Sequence, residues 1–150
     1  LSAGAIHGCV LCKGPEPFVY MEDIGRHNAV DKIAGWMFLN DISPEDKIFY
    51  TTGRLTTEMV IKTVQMRIPL LVSRSGFINE AVDLARRAGL TLIGRARGRR
   101  FIALSGEDRI IFDTGPELDD DMAAADVAMA DKPSPQRAAA GTSGPGHHDR

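Results

Sequence analysis

The chain has 150 residues, 43% of them hydrophobic and 25% charged, with a net charge of −2. That is enough for one domain with a real core, and so even a charge balance excludes a general basic field for nucleic acid. No apolar run is long enough for a membrane helix, and two cysteines make no disulfide framework, so a reducing cytoplasm is the expected setting.

The chain opens Leu1-Ser2-Ala3-Gly4, with neither a methionine nor a signal-peptide layout, the pattern of a fragment or a processed chain. Residues 5–12 predict a strand and 18–21 its partner, with Lys13-Gly14-Pro15-Glu16-Pro17 as the turn. Then comes Glu22-Asp23-Ile24-Gly25-Arg26-His27-Asn28-Ala29-Val30-Asp31-Lys32, a dense polar turn running into an apolar helix. Gly25 permits a sharp bend, and Asp23 can cap a helix from Arg26 to about Asn40. Ala29, Val30, Ile33, Ala34, Met37 and Phe38 recur at three- and four-residue spacing and predict its buried face. His27 and Asp31 lie one turn apart, as do Asn28 and Lys32. Arg26 and His27 in the first turn oppose the helix dipole. That placement suits a bound anion or a partnership with Glu22; the plain alternative is a capped helix with a solvated first turn.

Lys47-Ile48-Phe49-Tyr50-Thr51 predicts a strand. Residues 56–66 predict a helix with Met59, Val60, Thr63 and Val64 inward. Residues 69–73 predict a buried strand, and 79–88 a helix with Ala81, Val82, Leu84 and Ala85 inward, stopped by Gly89. A strand over 90–93 follows, and 101–104 with 109–112 predict a closing pair. Strands alternating with helices predict an α/β domain over 1–114 with a partly parallel sheet. Residues 115–150 hold seven acids and three bases, so they carry −4 and leave +2 on the body. They are rich in Ala, Asp, Pro, Gly and Ser, and disorder is expected apart from a short helix over 122–129. His147-His148 reads as incidental rather than as a metal site.

Each of three strand exits offers glycine and arginine: Thr52-Gly53-Arg54, Ser73-Arg74-Ser75-Gly76, and Gly94-Arg95-Ala96-Arg97-Gly98-Arg99-Arg100. In an open α/β sheet the carboxyl ends of parallel strands share one edge, and ligands bind there. Helix N-termini at that edge present N–H groups to anions, and arginine adds bidentate contacts to phosphate. The pattern points to a ligand carrying phosphate or pyrophosphate. Any one arginine alone reads as surface charge, and the run at 95–100 also fits a patch for an acidic protein. No Walker loop, Gly-x-Gly-x-x-Gly fingerprint or Gly-x-Ser-x-Gly elbow occurs. Cys9-Val10-Leu11-Cys12 has a redox spacing, but on a strand its two cysteines point to opposite faces, which favours ordinary packing. A zinc site from His7, Cys9 and Cys12 would lack a fourth ligand.

The stretch Glu22–Lys32 resembles the signature of the FdhD family, the formate dehydrogenase accessory sulfurtransferases. Ala3-Gly4-Ala5-Ile6-His7 is similar to its Thr-Gly-Gly-x-His segment, and Thr52-Gly53-Arg54-Leu55-Thr56-Thr57-Glu58-Met59 to its Ser-Gly-Arg-x-Ser-x-Glu-Met. Residues 68–75 and 90–94 fall in the same register, so the likeness covers about 3–112, the family's C-terminal domain. The resemblance implies a cytidine-deaminase-like, three-layer α/β/α fold with a mixed sheet, acting as a homodimer. It implies transfer of persulfide sulfur from a cysteine desulfurase to the bis-molybdopterin guanine dinucleotide cofactor, ahead of its insertion into formate dehydrogenase. It places Arg95, Ala96, Arg97, Gly98, Arg99 and Arg100 in the cofactor-binding loop, in agreement with the strand-exit pattern, which puts Gly53, Arg54, Arg74 and Ser75 on the same edge; His27, with Asp31 and Glu22, is expected to hold the first helix turn or meet the ligand, and GDP is expected to serve as a mimic of half the cofactor. No metal, nucleic-acid or membrane partner is expected, on the ligand count, charge and hydropathy given above. The family's sulfur-carrying Cys-x-x-Cys precedes the Thr-Gly-Gly-x-His segment, so Cys9 and Cys12, which follow His7, are not that pair. Three stretches depart from the family pattern: Gly76-Phe77-Ile78, Arg95, and Ile102-Ala103-Leu104-Ser105.

Overall fold

A computed structural model describes residues 6–112. The elements in order are β1 (His7–Lys13), β2 (Glu16–Asp23), α1 (Arg26–Leu39), β3 (Lys47–Thr51), α2 (Thr57–Gln65), β4 (Leu70–Ser73), α3 (Asn79–Ala88), β5 (Thr91–Arg97) and β6 (Arg100–Ser105), then a 3-10 turn at Glu107–Arg109. The expected acidic tail, with its helix and its histidine pair, lies outside the described residues.

Six strands form one sheet in the order β2-β1-β3-β4-β5-β6. β3, β4 and β5 run parallel, joined by crossovers through α2 and α3. The β1–β2, β1–β3 and β5–β6 pairs are antiparallel. Parallel neighbours need a helix-length crossover, whereas β1 and β2 need only the turn at Gly14, whose φ of +57° suits glycine.

Burial alternates along the strands as the two-residue repeat dictates. Cys9, Leu11, Phe49, Leu71 and Leu92 are fully buried on one face, against Ala29, Val30 and Ile33 of α1, Met59 and Val60 of α2, and Ala81 and Ala85 of α3. The opposite face carries Val10, Cys12, Ile48, Tyr50, Leu70, Val72 and Ile93, all half-buried. The α/β class and the mixed sheet are thus those expected, and the described residues supply two of the expected layers.

Four expectations change. Phe38 is 83% exposed, because it lines a groove between α1 and α2 instead of facing the sheet. Val64 is 39% exposed, one position beyond the buried stripe Met59–Val60–Thr63. The strand placed at 90–93 continues to Arg97, because β6 gives it an antiparallel partner. Residues 109–112 form no strand: Arg109 Nε donates to Thr91 Oγ1 (2.9 Å) and its Nη2 to Gly89 O (3.2 Å), which turns the chain back across the start of β5.

Candidate functional site

The carboxyl ends of β3 and β4 meet the amino end of β1, and side-chain hydroxyls hold the exits together. Thr52 N donates to Gly8 O (2.9 Å) while Gly8 N donates to Thr52 Oγ1 (2.9 Å). Buried Ser73 donates from Oγ to Gly53 O (2.6 Å) and accepts from Ser75 N (2.9 Å). Buried Thr51 accepts at Oγ1 from Gly53 N (3.0 Å), and Arg74 N donates to Thr51 O (3.4 Å). Arg95 N then reaches Ser75 O (3.0 Å), and Arg97 Nε reaches Arg74 O (3.2 Å). One network therefore ties the exits at 51–54, 73–75 and 94–97 to the start of β1.

The first turn of α1 closes this edge. A Cβ on Gly53 would stand 3.2 Å from Arg26 Cβ, so glycine is what lets the helix sit against the β3 exit. Arg26 Nε and His27 Nδ1 are buried, and neither has a hydrogen-bond partner among the described residues. A buried polar atom without a partner is costly and marks a place where a bound group would be favoured. His27 Nε2 lies 2.9 Å from Glu58 Oε2 at the start of α2, and Lys62 Nζ lies 2.6 Å from Asp31 Oδ1, a second tie between the helices.

The expected link from Arg26 or His27 to Glu22 is not made. The Glu22 carboxylate accepts from Tyr20 Oη, and its carbonyl accepts from Lys32 Nζ (2.8 Å). Asp23 does not cap the helix either: Gly25 occupies the N-cap without a side-chain bond. Asp23 instead accepts from Gly25 N (2.9 Å) and Asn28 Nδ2 (3.2 Å), and pairs with Lys32 (2.7 Å). The spacing of Asn28 and Lys32 thus serves one carboxylate. The Lys32 contact first, then the Gly25 and Asn28 bonds, pull the Asp23 carboxyl from an ordinary 3.8 to about 2. Its folded pKa lies below its unfolded value, so the unfolded chain binds more protons in this window. The stability it contributes is complete above about pH 4 and disappears as pH falls through about 2. Denaturant melts between pH 5 and 2 are expected to show this slope, and Asp23→Asn is expected to flatten it.

The basic segment takes another form than the loop read from sequence. Arg95, Ala96 and Arg97 belong to β5, Gly98 and Arg99 make a turn with Gly98 at φ +57°, and Arg100 begins β6. The register breaks between Gly94 and Arg97, and Arg95 sits at φ +51°, a left-handed conformation rare for a side-chain-bearing residue. This bulge directs the guanidinium over the Phe77 ring, 5.9 Å from its centroid. Gly53, Arg54, Arg74, Ser75, Arg95 and Arg97 are brought to one edge, with Arg26 and His27 alongside. Arg99 and Arg100 lie at the hairpin tip.

Sequence reasoning missed Thr51 and Ser73 as the hydroxyls that join the exits, and Phe77 and Glu58 as neighbours of Arg95 and His27. Hydroxyls at strand ends were visible, but the bond from Ser73 to Gly53 that joins two exits depends on β4 lying beside β3. Cys9 and Cys12 fall on opposite faces as alternation requires. Cys9 Sγ contacts Thr51 Oγ1 (3.6 Å), and burial raises both thiols above their ordinary range, with the Thr51 contact partly offsetting this at Cys9. The groove between α1 and α2, about 570 Å³, is lined by Val30, Ala34, Met37, Phe38, Ile42 and Met66 and takes in none of the exit residues. Among the described residues, no helix is long and apolar enough to cross a membrane.

Residues 1–111 match the model of the FdhD/NarQ family. The sulfur carrier protein FdhD of Geobacillus kaustophilus is 36% identical over 110 residues, which cover 73% of this chain and 42% of that protein. The sulfur carrier protein FdhD of Listeria monocytogenes serotype 4b is 36% identical over 107 residues, covering 71% and 41%. A crystal structure described as that of a formate dehydrogenase accessory protein, from Desulfotalea psychrophila, superposes with a TM-score of 0.66 at 39% identity, covering 71% of this chain and 46% of that one. The chain thus spans less than half the length of these relatives.

Proposed function

The chain belongs to the FdhD/NarQ family, and on that premise we propose that it is the cofactor-binding part of a sulfur-carrier accessory protein serving formate dehydrogenase. The names of its relatives support the sulfur-carrier role. The observation that carries the binding role is the convergence of Arg54, Arg74, Arg95 and Arg97 on one edge, beside the unpartnered Arg26 Nε.

The ligand is the bis-molybdopterin guanine dinucleotide cofactor, which is cargo and substrate here. Its pyrophosphates need donors that stay charged at all working pH, and arginines provide them. Arg54, Arg74 and Arg97 are exposed at the strand ends and take the phosphate oxygens, and backbone groups of Gly53 and Ser75 line the same edge. Arg95, held over Phe77, offers a flat cationic plate to a purine ring. Arg99 and Arg100 of the hairpin tip, with Ala96 and Gly98 between them and the edge, extend the contact along the ligand. His27, fixed by Glu58, sets the first turn of α1.

Sulfur comes to such a protein from a cysteine desulfurase and leaves on the cofactor for formate dehydrogenase, in the cytoplasm and from a homodimer. Cys9 and Cys12 take no part in the transfer. They face opposite sides of the sheet, and burial raises both thiols, which disfavours the thiolate through which a sulfur carrier reacts. Incubation with a desulfurase and cysteine is expected to add no sulfur mass to either.

Calorimetry with GDP tests the binding role. The parent chain is expected to bind at millimolar concentration or tighter, and Arg97→Ala about tenfold more weakly, the loss of one charge-assisted contact worth roughly 1.5 kcal/mol. No heat with the parent, or an Arg97→Ala isotherm equal to it, contradicts the reading. A second reading, a non-catalytic module that docks on the desulfurase or dehydrogenase, is favoured by the exposed arginines of the β5–β6 hairpin. It predicts capture of either protein that depends on Arg95–Arg100, with no nucleotide bound.

A further inference from the structure

Four residues toward the C-terminal end of α1 are unfavourable local choices, and all four stand on or beside the groove between α1 and α2. Gly35 lies inside the helix, where glycine lowers stability relative to alanine, yet it is exposed and a Cβ built on it would meet nothing within 4 Å. Phe38 and Leu39, three and four residues on, are 83% and 80% exposed. Asp41 sits just past the helix at φ +50°, where Ile42 N donates to Met37 O (3.0 Å) and Asp41 N to Phe38 O (3.5 Å). That closing turn favours glycine, because a Cβ is crowded in the left-handed region. None of the four belongs to the core. Residues that break a local rule without a structural return mark functional contacts.

The charges of the groove say what would fit it. Its walls are apolar, from Val30, Ala34, Met37, Ile42 and Met66, and three charged side chains line it. Asp31 and Lys62 pair with each other (2.6 Å). Asp41 is left over, with no partner for its carboxylate among the described residues. The helix dipole adds to this charge. The last turn of α1 holds no base, so the negative end of the helix and the Asp41 carboxylate stand together uncompensated. An apolar groove with one unanswered negative charge at its end is complementary to an apolar surface that carries a cation.

We propose that this groove docks an amphipathic helix of another protein, apolar on the face it presents and carrying a lysine or arginine that meets Asp41. Gly35 lets the incoming backbone approach α1 closely, and Phe38 and Leu39 give it apolar contact. The cation answers both the carboxylate and the helix end. The groove runs past the C-terminal ends of α1 and α2 and takes in none of the strand-exit residues, which lie at the N-terminal turns of those helices. A docked partner therefore leaves the arginine edge open, and the inference is independent of what that edge binds.

Two synthetic peptides test it, each of about 18 residues, roughly five helical turns, with leucine at every third or fourth position. One carries lysines flanking the leucine face, and its twin carries glutamates at the same places. Nitrogen-15 amide spectra of the chain are followed while each is titrated in. The lysine peptide is expected to shift Ala34, Gly35, Phe38, Leu39, Asp41 and Met66, to leave Arg54, Arg74 and Arg97 unmoved, and to bind at least about tenfold more tightly than its twin. Asp41→Gly is expected to raise the melting temperature of the chain by a few degrees and to abolish the preference between the peptides. Gly35→Met puts a better helix former at an open position, so it is expected to keep or raise the melting temperature while weakening the lysine peptide at least about tenfold. Stability gained with binding lost separates a docking contact from a structural role. Absence of binding, equal affinity for the twins, shifts centred on Val10, Tyr50 and Val72 of the sheet's other face, or a Gly35→Met chain that binds like the parent overturns the proposal. A concentration-dependent dimer of the chain alone that Gly35→Met dissolves would assign the groove to a second copy and overturn it as well.

Discussion

Replacing Arg54, Arg74 and Arg97 together with alanine is expected to remove measurable binding of GDP, a loss of at least about 10³-fold if each guanidinium contributes roughly 1.5–3 kcal/mol to a phosphate contact. Each single change is expected to cost roughly ten- to a hundredfold, with partial redundancy because neighbouring arginines compete for the same oxygens. All three side chains are exposed, and the bond from Arg97 Nε to Arg74 O lies at the surface, where water can replace it. The melting temperature is therefore expected to stay near that of the parent, which separates loss of ligand from loss of fold. Raising the salt from 50 to 200 mM is expected to weaken the parent and leave little further effect in the triple variant, because exposed charges are screened over roughly 8–10 Å. A triple variant that binds GDP like the parent would detach the arginines from the function.

Phe49→Ala is expected to have the largest effect on stability, a loss of about 3–5 kcal/mol by thermal or denaturant unfolding. Phe49 is fully buried in β3, opposite Leu11 on β1 and Leu71 on β4, and it has no room for exchange with solvent. Domains of this size have roughly 5–15 kcal/mol in all, so the variant keeps little margin. The consequence reaches the site, because β3 ends at Thr51, whose hydroxyl and carbonyl hold Gly53 and Arg74. Ligand binding by Phe49→Ala is expected to fall with the folded fraction and to recover on cooling toward the temperature of maximum stability. A loss under about 1 kcal/mol would mean that β3 is not the centre of the core.

Local pattern explains what was legible in the sequence. β3 at Lys47–Thr51 and α3 at Asn79–Ala88, with its left-handed Gly89 at φ +70°, stand where they were expected. Both are set by signals inside their own segments: β-branched and aromatic residues in one, apolar spacing and a glycine stop in the other. The convergence of the exits was legible as well, because parallel strands must end on one edge. The unseen features depend on partners distant in sequence. The extension of β5 past Gly94 requires β6, and the left-handed Arg95 follows from the bulge that their pairing imposes. Asp23 offered a cap by position, yet Lys32 and Asn28 drew it along the helix face while Gly25 took the N-cap. Ser73 and Thr51 looked like ordinary strand-end hydroxyls. Their role appears only when β1, β3 and β4 lie side by side.

The central claim is that three strand exits, brought together by Ser73 and Thr51, act as one anion-binding edge. Nitrogen-15 amide spectra of the chain titrated with GDP test it most directly. The account predicts that Gly53, Arg54, Arg74, Ser75, Arg95 and Arg97 shift together along a single saturation curve, with Arg26 and His27 moving with them. Shifts confined to Val30, Ala34, Phe38 and Met66 in the groove between α1 and α2, or exits that titrate with separate affinities, would contradict it.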